Sequence, residues 1–267
     1  MKLAATFAAL LLSAQGAPPA AVKLWRLDCG RLDFADFAMF SDTGRYDGRA
    51  RTLTDSCYLV KHGDTYLLWD TGLGADQDAP GFRARVTQRL VPQLARIGVK
   101  PSAIRYVGIS HYHADHTGQA REFPAATLLI GAKDWAGVRA NEGEARPVDG
   151  LAPWLTGGSR VDPVDGDRDV FGDGSVTMLS LPGHTPGHHA LLVRLPRTGA
   201  VLLSGDQFHA VESMTADQVP AFNFDRADTL ASSARFREIA ANRHARIIIQ
   251  HEVADVGKLP AFPAAAE

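Results

Sequence analysis

Three short apolar runs lie between residues 22 and 69 and are separated by more polar stretches. Residues 22–29, 56–60 and 66–69 each have the length and composition of a β-strand. His62-Gly63-Asp64, between the second and third runs, favours a hairpin turn. Residues 30–50 mix aromatic residues with Asp, Gly and Arg, which indicates a loop.

Helical spacing appears in two places. Apolar residues at 82, 86, 90, 94 and 97 predict a helix that Pro92 divides, with the second piece beginning near Pro92 and ending at Gly98. Residues 226–243 predict a longer helix with Asp225 as its N-cap.

The remaining apolar runs predict a second series of strands, and a short helix is expected near Trp135. The two series are interrupted or followed by helices, which favours an α+β fold of two face-to-face sheets with helices outside. The strands of this series are expected at residues 104–109, 127–130, 176–181, 190–195, 200–203 and 247–249.

Composition narrows the class of protein. The chain has 267 residues, of which 45% are hydrophobic and 22% charged, as in ordinary globular proteins. Its formal net charge of −2 does not provide the positive electrostatic potential that favours binding of nucleic acid. Nucleic acid is therefore not an expected partner.

The N-terminus has the pattern of an export signal. Lys2 precedes an apolar run over residues 3–12, and Ala14-Gln15-Gly16 resembles a cleavage site. We expect residues 1–16 to be a signal peptide and residues 17–267 to form a single domain, periplasmic or secreted and free of the membrane after cleavage. An uncleaved anchor is the alternative, although the run is short for a membrane span.

Export would permit a disulfide bond. Cys29 and Cys57 lie in two predicted strands that could be neighbours. Two free, partly buried thiols are the alternative, because the sequence does not give the separation of their Cα atoms.

The candidate chemistry begins with His111-Tyr112-His113-Ala114-Asp115-His116, directly after a buried strand. A tight loop there can direct His111 and His113 at one cation and Asp115 and His116 at a second. Imidazole and carboxylate suit zinc and related transition metals. Four ligands cannot complete two sites, so other strand ends must contribute.

Three polar residues follow later apolar strands: His184, Asp206 and His251. A carboxylate can use both oxygens, so Asp206 is the natural bridge. The seven residues together predict two divalent metal ions, with zinc as the first choice and iron, manganese or cobalt as alternatives. The other histidines (His62, His188, His189 and His244) are expected to be solvated or hydrogen-bonded.

From about Val22 to Phe262, the chain resembles the metallo-β-lactamase superfamily. The resemblance implies a four-layer αββα sandwich with the metals at one edge. It assigns His111, His113 and His184 to the first metal, and the second metal to Asp115, His116 and His251, with Asp206 bridging.

Within that superfamily the chain is similar to the quorum-quenching N-acyl homoserine lactonases. The similarity lies in Leu27-Asp28-Cys29-Gly30, in residues 56–60 and in residues 68–72. It implies that a hydroxide bridging the metals opens the lactone ring and that Asp115 relays the proton. It also implies a homodimer as one oligomeric state.

One position departs from the lactonase pattern. The family carries a tyrosine three residues after the bridging aspartate, where it contacts the substrate carbonyl, and this chain has His209. His209 is therefore a catalytic candidate that could donate the same hydrogen bond, and lining the cavity is the alternative. The acyl chain needs an apolar groove, for which the candidates are Phe37, Phe40, Phe208 and Phe222.

Several rival functions share parts of the pattern. A class B3-like β-lactamase has the same string but no bridging aspartate, and glyoxalase II adds a C-terminal helical domain that we do not expect in the 16 residues after His251. Phosphotriester or aryl ester hydrolysis stays open, because the same metal pair would serve. A non-catalytic metal-binding protein is the alternative from another class.

Overall fold

A computed structural model describes residues 21–141 and 149–267. The predicted signal peptide lies outside these residues. The fold contains two sheets, and the first has the strand order β4-β5-β1-β2-β3-β6-β7-β8. Its strands are β1 (Val22–Phe34), β2 (Arg51–His62), β3 (Thr65–Trp69), β4 (Gln77–Ala79), β5 (Phe82–Arg85), β6 (Ile104–Gly108), β7 (Thr127–Gly131) and β8 (Val161–Val164).

The second sheet has the order β13-β12-β11-β10-β9. Its strands are β9 (Arg168–Asp169), β10 (Val176–Ser180), β11 (His189–Leu195), β12 (Gly199–Leu203) and β13 (Arg246–Ile248). The α-helices are α1 (Leu90–Arg96), α2 (Ala114–Thr117), α3 (Ala132–Ala140), α4 (Ala152–Leu155), α5 (Val211–Thr215) and α6 (Arg226–Asn242).

Alternation along the strands gives each sheet two buried faces. In β2, Tyr58 and Val60 face the second sheet, while Cys57 and Leu59 face helices α1, α3 and α4. The outer face of the second sheet packs against α6 through Phe236. Helices therefore cover both sheets, and the predicted four-layer αββα sandwich is confirmed. None of the described helices has the length and apolarity required to cross a bilayer.

The helix predicted from residue 82 to Pro92 is wrong. Phe82–Arg85 is instead a strand that pairs with β1 and β4, after a turn in which Gly81 has a φ of 74°. A spacing of four residues is also a multiple of two, so Phe82 and Val86 suit a strand as well as a helix. The second piece does form, as α1, and Pro92 lies in its first turn, where it is tolerated. The helix α6 begins as predicted, since Asp225 accepts a hydrogen bond from the Asp228 N–H.

The two cysteines form a disulfide between β1 and β2. Their Cα atoms lie 5.8 Å apart, and both residues are fully buried. The bond falls at a bulge, because the pairing shifts between Asp28 and Gly30. Of the two alternatives left by the sequence, the structure contains the disulfide. Strand β1 also continues to Phe34, into the segment predicted as a loop.

Candidate metal centre

The ligand string changes conformation halfway along its length. His111 follows β6 and is fully buried, while His113 is the N-cap of the short helix α2, which contains Asp115 and His116. Because the helix turns the chain after His113, the first two side chains point one way and the last two another. This local turn separates the string into two clusters.

The first cluster joins His111, His113, His184 and Asp206, whose ligand atoms all lie within 4.8 Å of one another. The Nε2 of His184 is 3.2 Å from Nε2 of His111 and 3.1 Å from Nδ1 of His113. The Oδ2 of Asp206 lies 3.4 Å from His184 Nε2. Three imidazoles and one carboxylate oxygen thus converge on one point.

The second cluster joins Asp115, His116 and His251. The Nε2 atoms of the two histidines are 3.2 Å apart, and Oδ2 of Asp115 lies 3.7 Å from His251 Nε2. The other oxygen of Asp206, Oδ1, is 3.0 Å from His251 Nε2 and 3.2 Å from His116 Nε2. Asp206 therefore presents one oxygen to each cluster, and the structure brings all seven predicted ligand residues together.

These residues fit a pair of cations. The Nδ1 of His116 lies 3.0 Å from Oδ2 of Asp70, and Nδ1 of His251 lies 2.8 Å from the Thr54 carbonyl oxygen. Such acceptors hold the proton on Nδ1, so in the neutral rings two lone pairs face each other across the second cluster. A cation bound by both Nε2 atoms would remove the repulsion between these two lone pairs.

The electrostatics of the centre favour positive charge. Burial opposes protonation of His251, but the carboxylates of Asp206 and Asp115 raise its pKa to about 9. Burial likewise opposes ionisation of Asp206, but the surrounding histidines, led by His116, hold its pKa well below the usual range. The ligand set is thus an ionised carboxylate among imidazoles that attract a cation or, without one, a proton.

Residues 51–251 match the model of the metallo-beta-lactamase superfamily, and this range contains all seven ligand residues. The chain belongs to the metallo-beta-lactamase superfamily. The family match confirms the resemblance predicted from the sequence.

Among relatives in the superfamily, an N-acyl homoserine lactonase from Rhizobium johnstonii is 33% identical over 74% of this chain and 81% of its own length. One from Azorhizobium caulinodans is 32% identical over 63% of this chain and 65% of its own length, just under two thirds. A solved structure of a mutant B. thuringiensis AiiA with N-decanoyl-L-homoserine at its active site is 23% identical, with a TM-score of 0.80, covering 93% of this chain and 100% of that one. This structural likeness supports the fold.

Asp70 and His188, which support this metallo-beta-lactamase centre, are not among the residues that the sequence predicts for it. Asp70 is fully buried, has a φ of 54°, and accepts from the Ser110 N–H as well as from His116. His188 was predicted only to be hydrogen-bonded or exposed. Its Nε2 accepts from the Asp206 N–H at 2.9 Å, and its Nδ1 lies 3.0 Å from the Leu181 carbonyl oxygen. The available signals were the strand-end position of Asp70 and the location of His188 in the same glycine-rich turn as His184.

His209 lies beside the bridge. Its Nε2 is 3.0 Å from Oδ2 of Asp206, and burial lowers its pKa to about 4. A neutral ring has one N–H, and donating it to Asp206 leaves a lone pair at Nδ1. The predicted donation to a substrate carbonyl would therefore need the other tautomer. A catalytic role for His209 stays a prediction.

The four predicted groove aromatics separate into two groups. Phe40 and Phe222 flank the centre, with ring centroids 4.9 Å and 5.9 Å from that of His209. Phe37 instead stacks behind Phe40 at 3.9 Å and is buried. Phe208 is buried against Phe236 of α6, so the structure contradicts its predicted place in the groove. Gly205–Gln207 is a 3-10 turn and Phe208 follows it in extended conformation, so the side chain of Phe208 enters the core while those of Asp206 and His209 face the centre.

An apolar cavity of about 500 Å³ opens beside Asp115. We call the two segments that form most of it, residues 32–40 and 77–86, the mouth. The lining residues include Leu32, Met39, Phe40, Leu73 and Phe82. Asp115 thus belongs both to the second cluster and to the wall of the cavity.

Proposed function

We propose that this chain is a dinuclear metal-dependent hydrolase that opens the lactone ring of N-acyl homoserine lactones. The observation that carries the proposal is the position of Asp115, which joins the paired ligand clusters to an apolar cavity. A polar reaction centre beside an apolar cavity suits a substrate with a lactone head and an acyl tail. The lactonase names of the relatives support the same function.

The residues would hold two divalent cations, for which we propose zinc. When bound, such ions polarise a carbonyl group and lower the pKa of water. In this reaction the OH of water adds to the carbonyl carbon of the lactone ring. The bond from that carbon to the ring oxygen breaks, and the remaining proton of water reaches the ring oxygen. The products are the carboxyl and hydroxyl groups of an N-acyl homoserine.

Asp115 is placed to move that proton. Its side chain retains 22% of its accessible surface, whereas those of His116 and His251 retain 0% and 1%. Burial opposes its ionisation, but the adjacent His116 and His251 lower its pKa, so the group is present as a carboxylate, the form that accepts a proton. The ring oxygen of a lactone whose tail lies in the cavity would leave on this side of the centre.

Residues of the mouth would hold the acyl chain. Leu32, Met39 and Phe82 come from β1, the turn after it and β5, so three structural elements in the two segments of the mouth contribute to the cavity wall. A volume of about 500 Å³ accommodates a chain of several methylene groups, each contributing about 0.8 kcal/mol when buried. The cavity thus favours lactones with medium or long acyl chains.

Export to the periplasm or the medium is part of the proposal. It is supported by the pattern of residues 1–16 and agrees with the Cys29–Cys57 disulfide, a bond typical of oxidising compartments. The homodimer implied by the family resemblance stays a prediction.

A substrate panel on zinc-loaded protein tests the activity. We expect kcat/KM for acyl homoserine lactones to exceed that for a penicillin, a phosphotriester or an aryl ester by about 100-fold or more. Metal analysis of the same sample should give about two equivalents of zinc per chain. An equal or reversed preference would favour a rival hydrolase, and metal binding without any hydrolysis would favour a binding protein.

A further inference from the structure

Asp134 is a fully buried carboxylate outside the ligand set. It lies in the first turn of α3, just after β7, and none of its surface is exposed to solvent. Burying an acidic side chain is unfavourable unless donors surround it. The groups that donate hydrogen bonds to Asp134 therefore show which segments of the chain it holds together.

The donors come from two loops that carry the first cluster. Oδ2 accepts from the Thr185 hydroxyl at 2.7 Å, and Oδ1 accepts from the Gly187 N–H at 2.6 Å. The Tyr112 N–H also donates to this carboxylate. Thr185 directly follows His184, and Tyr112 lies between His111 and His113. One side chain thus joins the segments that supply all three histidines of the first cluster.

The backbone around Asp134 is also closely packed. A Cβ on Gly187 would lie 2.6 Å from the Asp134 nitrogen, and one on Gly131 would lie 1.9 Å from the Gly187 carbonyl oxygen. The glycine-rich turn therefore rests directly on the start of α3. The second cluster is supported differently, with His116 on Asp70 and His251 on the Thr54 carbonyl oxygen.

We propose that Asp134 is a positioning residue for the first metal: it holds the His111–His113 loop and the His184 loop at the separation that this metal requires. The inference rests on the metal centre of the proposed function but not on the identity of the substrate. Removing a hydrogen-bonded support of this kind typically weakens metal binding about 10- to 100-fold.

Asp134→Asn is the direct variant, because it keeps the size of the side chain and replaces one acceptor oxygen by a donor group. Asp169→Asn is the matched control. Asp169 accepts from three backbone N–H groups, those of Phe171, Gly172 and Gly174, in a turn away from the seven ligand residues. Both variants lose one carboxylate with several donors, and only one of them touches the ligand loops.

The readout is cobalt(II) affinity, measured by competition with a chelator in two backgrounds. His251→Ala leaves the first cluster as the main site, and His113→Ala leaves the second. We expect Asp134→Asn to weaken binding about 10-fold or more in the His251→Ala background and less than about twofold in the His113→Ala background. Asp169→Asn should change neither.

Equal weakening in both backgrounds, or none in either, would overturn the proposal. If Asp134→Asn does not fold, Thr185→Val decides the question, because it removes one donor and keeps the shape of the side chain. It should then weaken the first site several-fold, and unchanged cobalt affinity would refute the role of Asp134. Lactone hydrolysis by the unmodified protein is scored separately, so failure of the lactonase proposal leaves this result interpretable.

Discussion

The metal centre and the mouth are held in place by different means. At the centre, the second nitrogens of His116, His184 and His251 are fixed by Asp70, Asn223 and the Thr54 carbonyl oxygen respectively. The mouth is assembled from the end of β1, a short turn and the β4–β5 hairpin, and Met39 there is 47% exposed. Besides strand pairing, its contacts include apolar packing and exposed ion pairs.

This difference separates chemistry from specificity. The orientation of a metal ligand must be accurate to a fraction of an ångström, which is why a hydrogen-bonding partner on the second nitrogen of His116, His184 and His251 matters. An acyl chain requires only apolar surface of suitable shape. Substitutions at the centre should therefore abolish metal binding and turnover together, and those at the mouth should alter substrate preference alone.

The largest effect is expected for Asp206→Ala. Its two oxygens face different clusters, so both sites lose a ligand at once. Lactonase activity should fall by more than the 10- to 100-fold typical of losing a supporting partner, and metal analysis should show less than one equivalent per chain. Asp217→Asn, which removes an exposed charged partner of Arg237 and tolerates the φ of 48° at this position, serves as the control. Two retained equivalents would refute the bridging arrangement.

Asp70→Asn tests the support of the centre rather than its ligands. Asn also tolerates the φ of 54°, so the backbone conformation should persist. Its amide would face donors from Ser110, His116 and Gln250, and we expect metal affinity to fall about 10- to 100-fold. Chelator competition measures the change. An affinity equal to that of the unmodified protein would show that the centre does not depend on this anchor.

The contrast between the metal centre and the mouth also explains which features the sequence predicts correctly. The ligands were found because four lie within six residues and three follow apolar strands, a pattern that is uncommon away from metal sites. The β4–β5 hairpin was misassigned because the spacing of Phe82 and Val86 fits two periodicities. The positions of Asp70 and His188 carry a local signal, but their role as supports, like that of Asp134, depends on hydrogen bonds to segments distant in sequence, which the sequence pattern does not show.

At the mouth, Met39→Ala should change substrate preference without affecting the centre. Losing about 1 kcal/mol of apolar contact should raise KM for a decanoyl homoserine lactone about fivefold. The kcat/KM for a butanoyl lactone should change less than twofold, because its chain is too short to depend on the cavity wall. Val253→Ala, at an exposed apolar residue outside the cavity lining, is the control. Equal losses on both lactones would indicate that the mouth also supports the metal centre.

The smallest effect concerns the charges at the edge of the mouth. Hydrogen bonds from Arg31 and Thr52 lower the pKa of Asp33 from its ordinary value of 3.8. Because the folded-state pKa is lowered, Asp33 stabilises the fold above pH 3.8 and loses that contribution as the pH falls through the folded-state value. Thermal unfolding should thus show Asp33→Asn slightly less stable at pH 6, with the difference shrinking below pH about 4. The difference should be small because the Arg31–Asp33 pair is accessible to solvent, with side-chain exposures of 56% and 34%. A difference that persists unchanged at pH 3 would mean that Asp33 acts through packing, and the mouth would then depend less on surface charge than its ion pairs indicate.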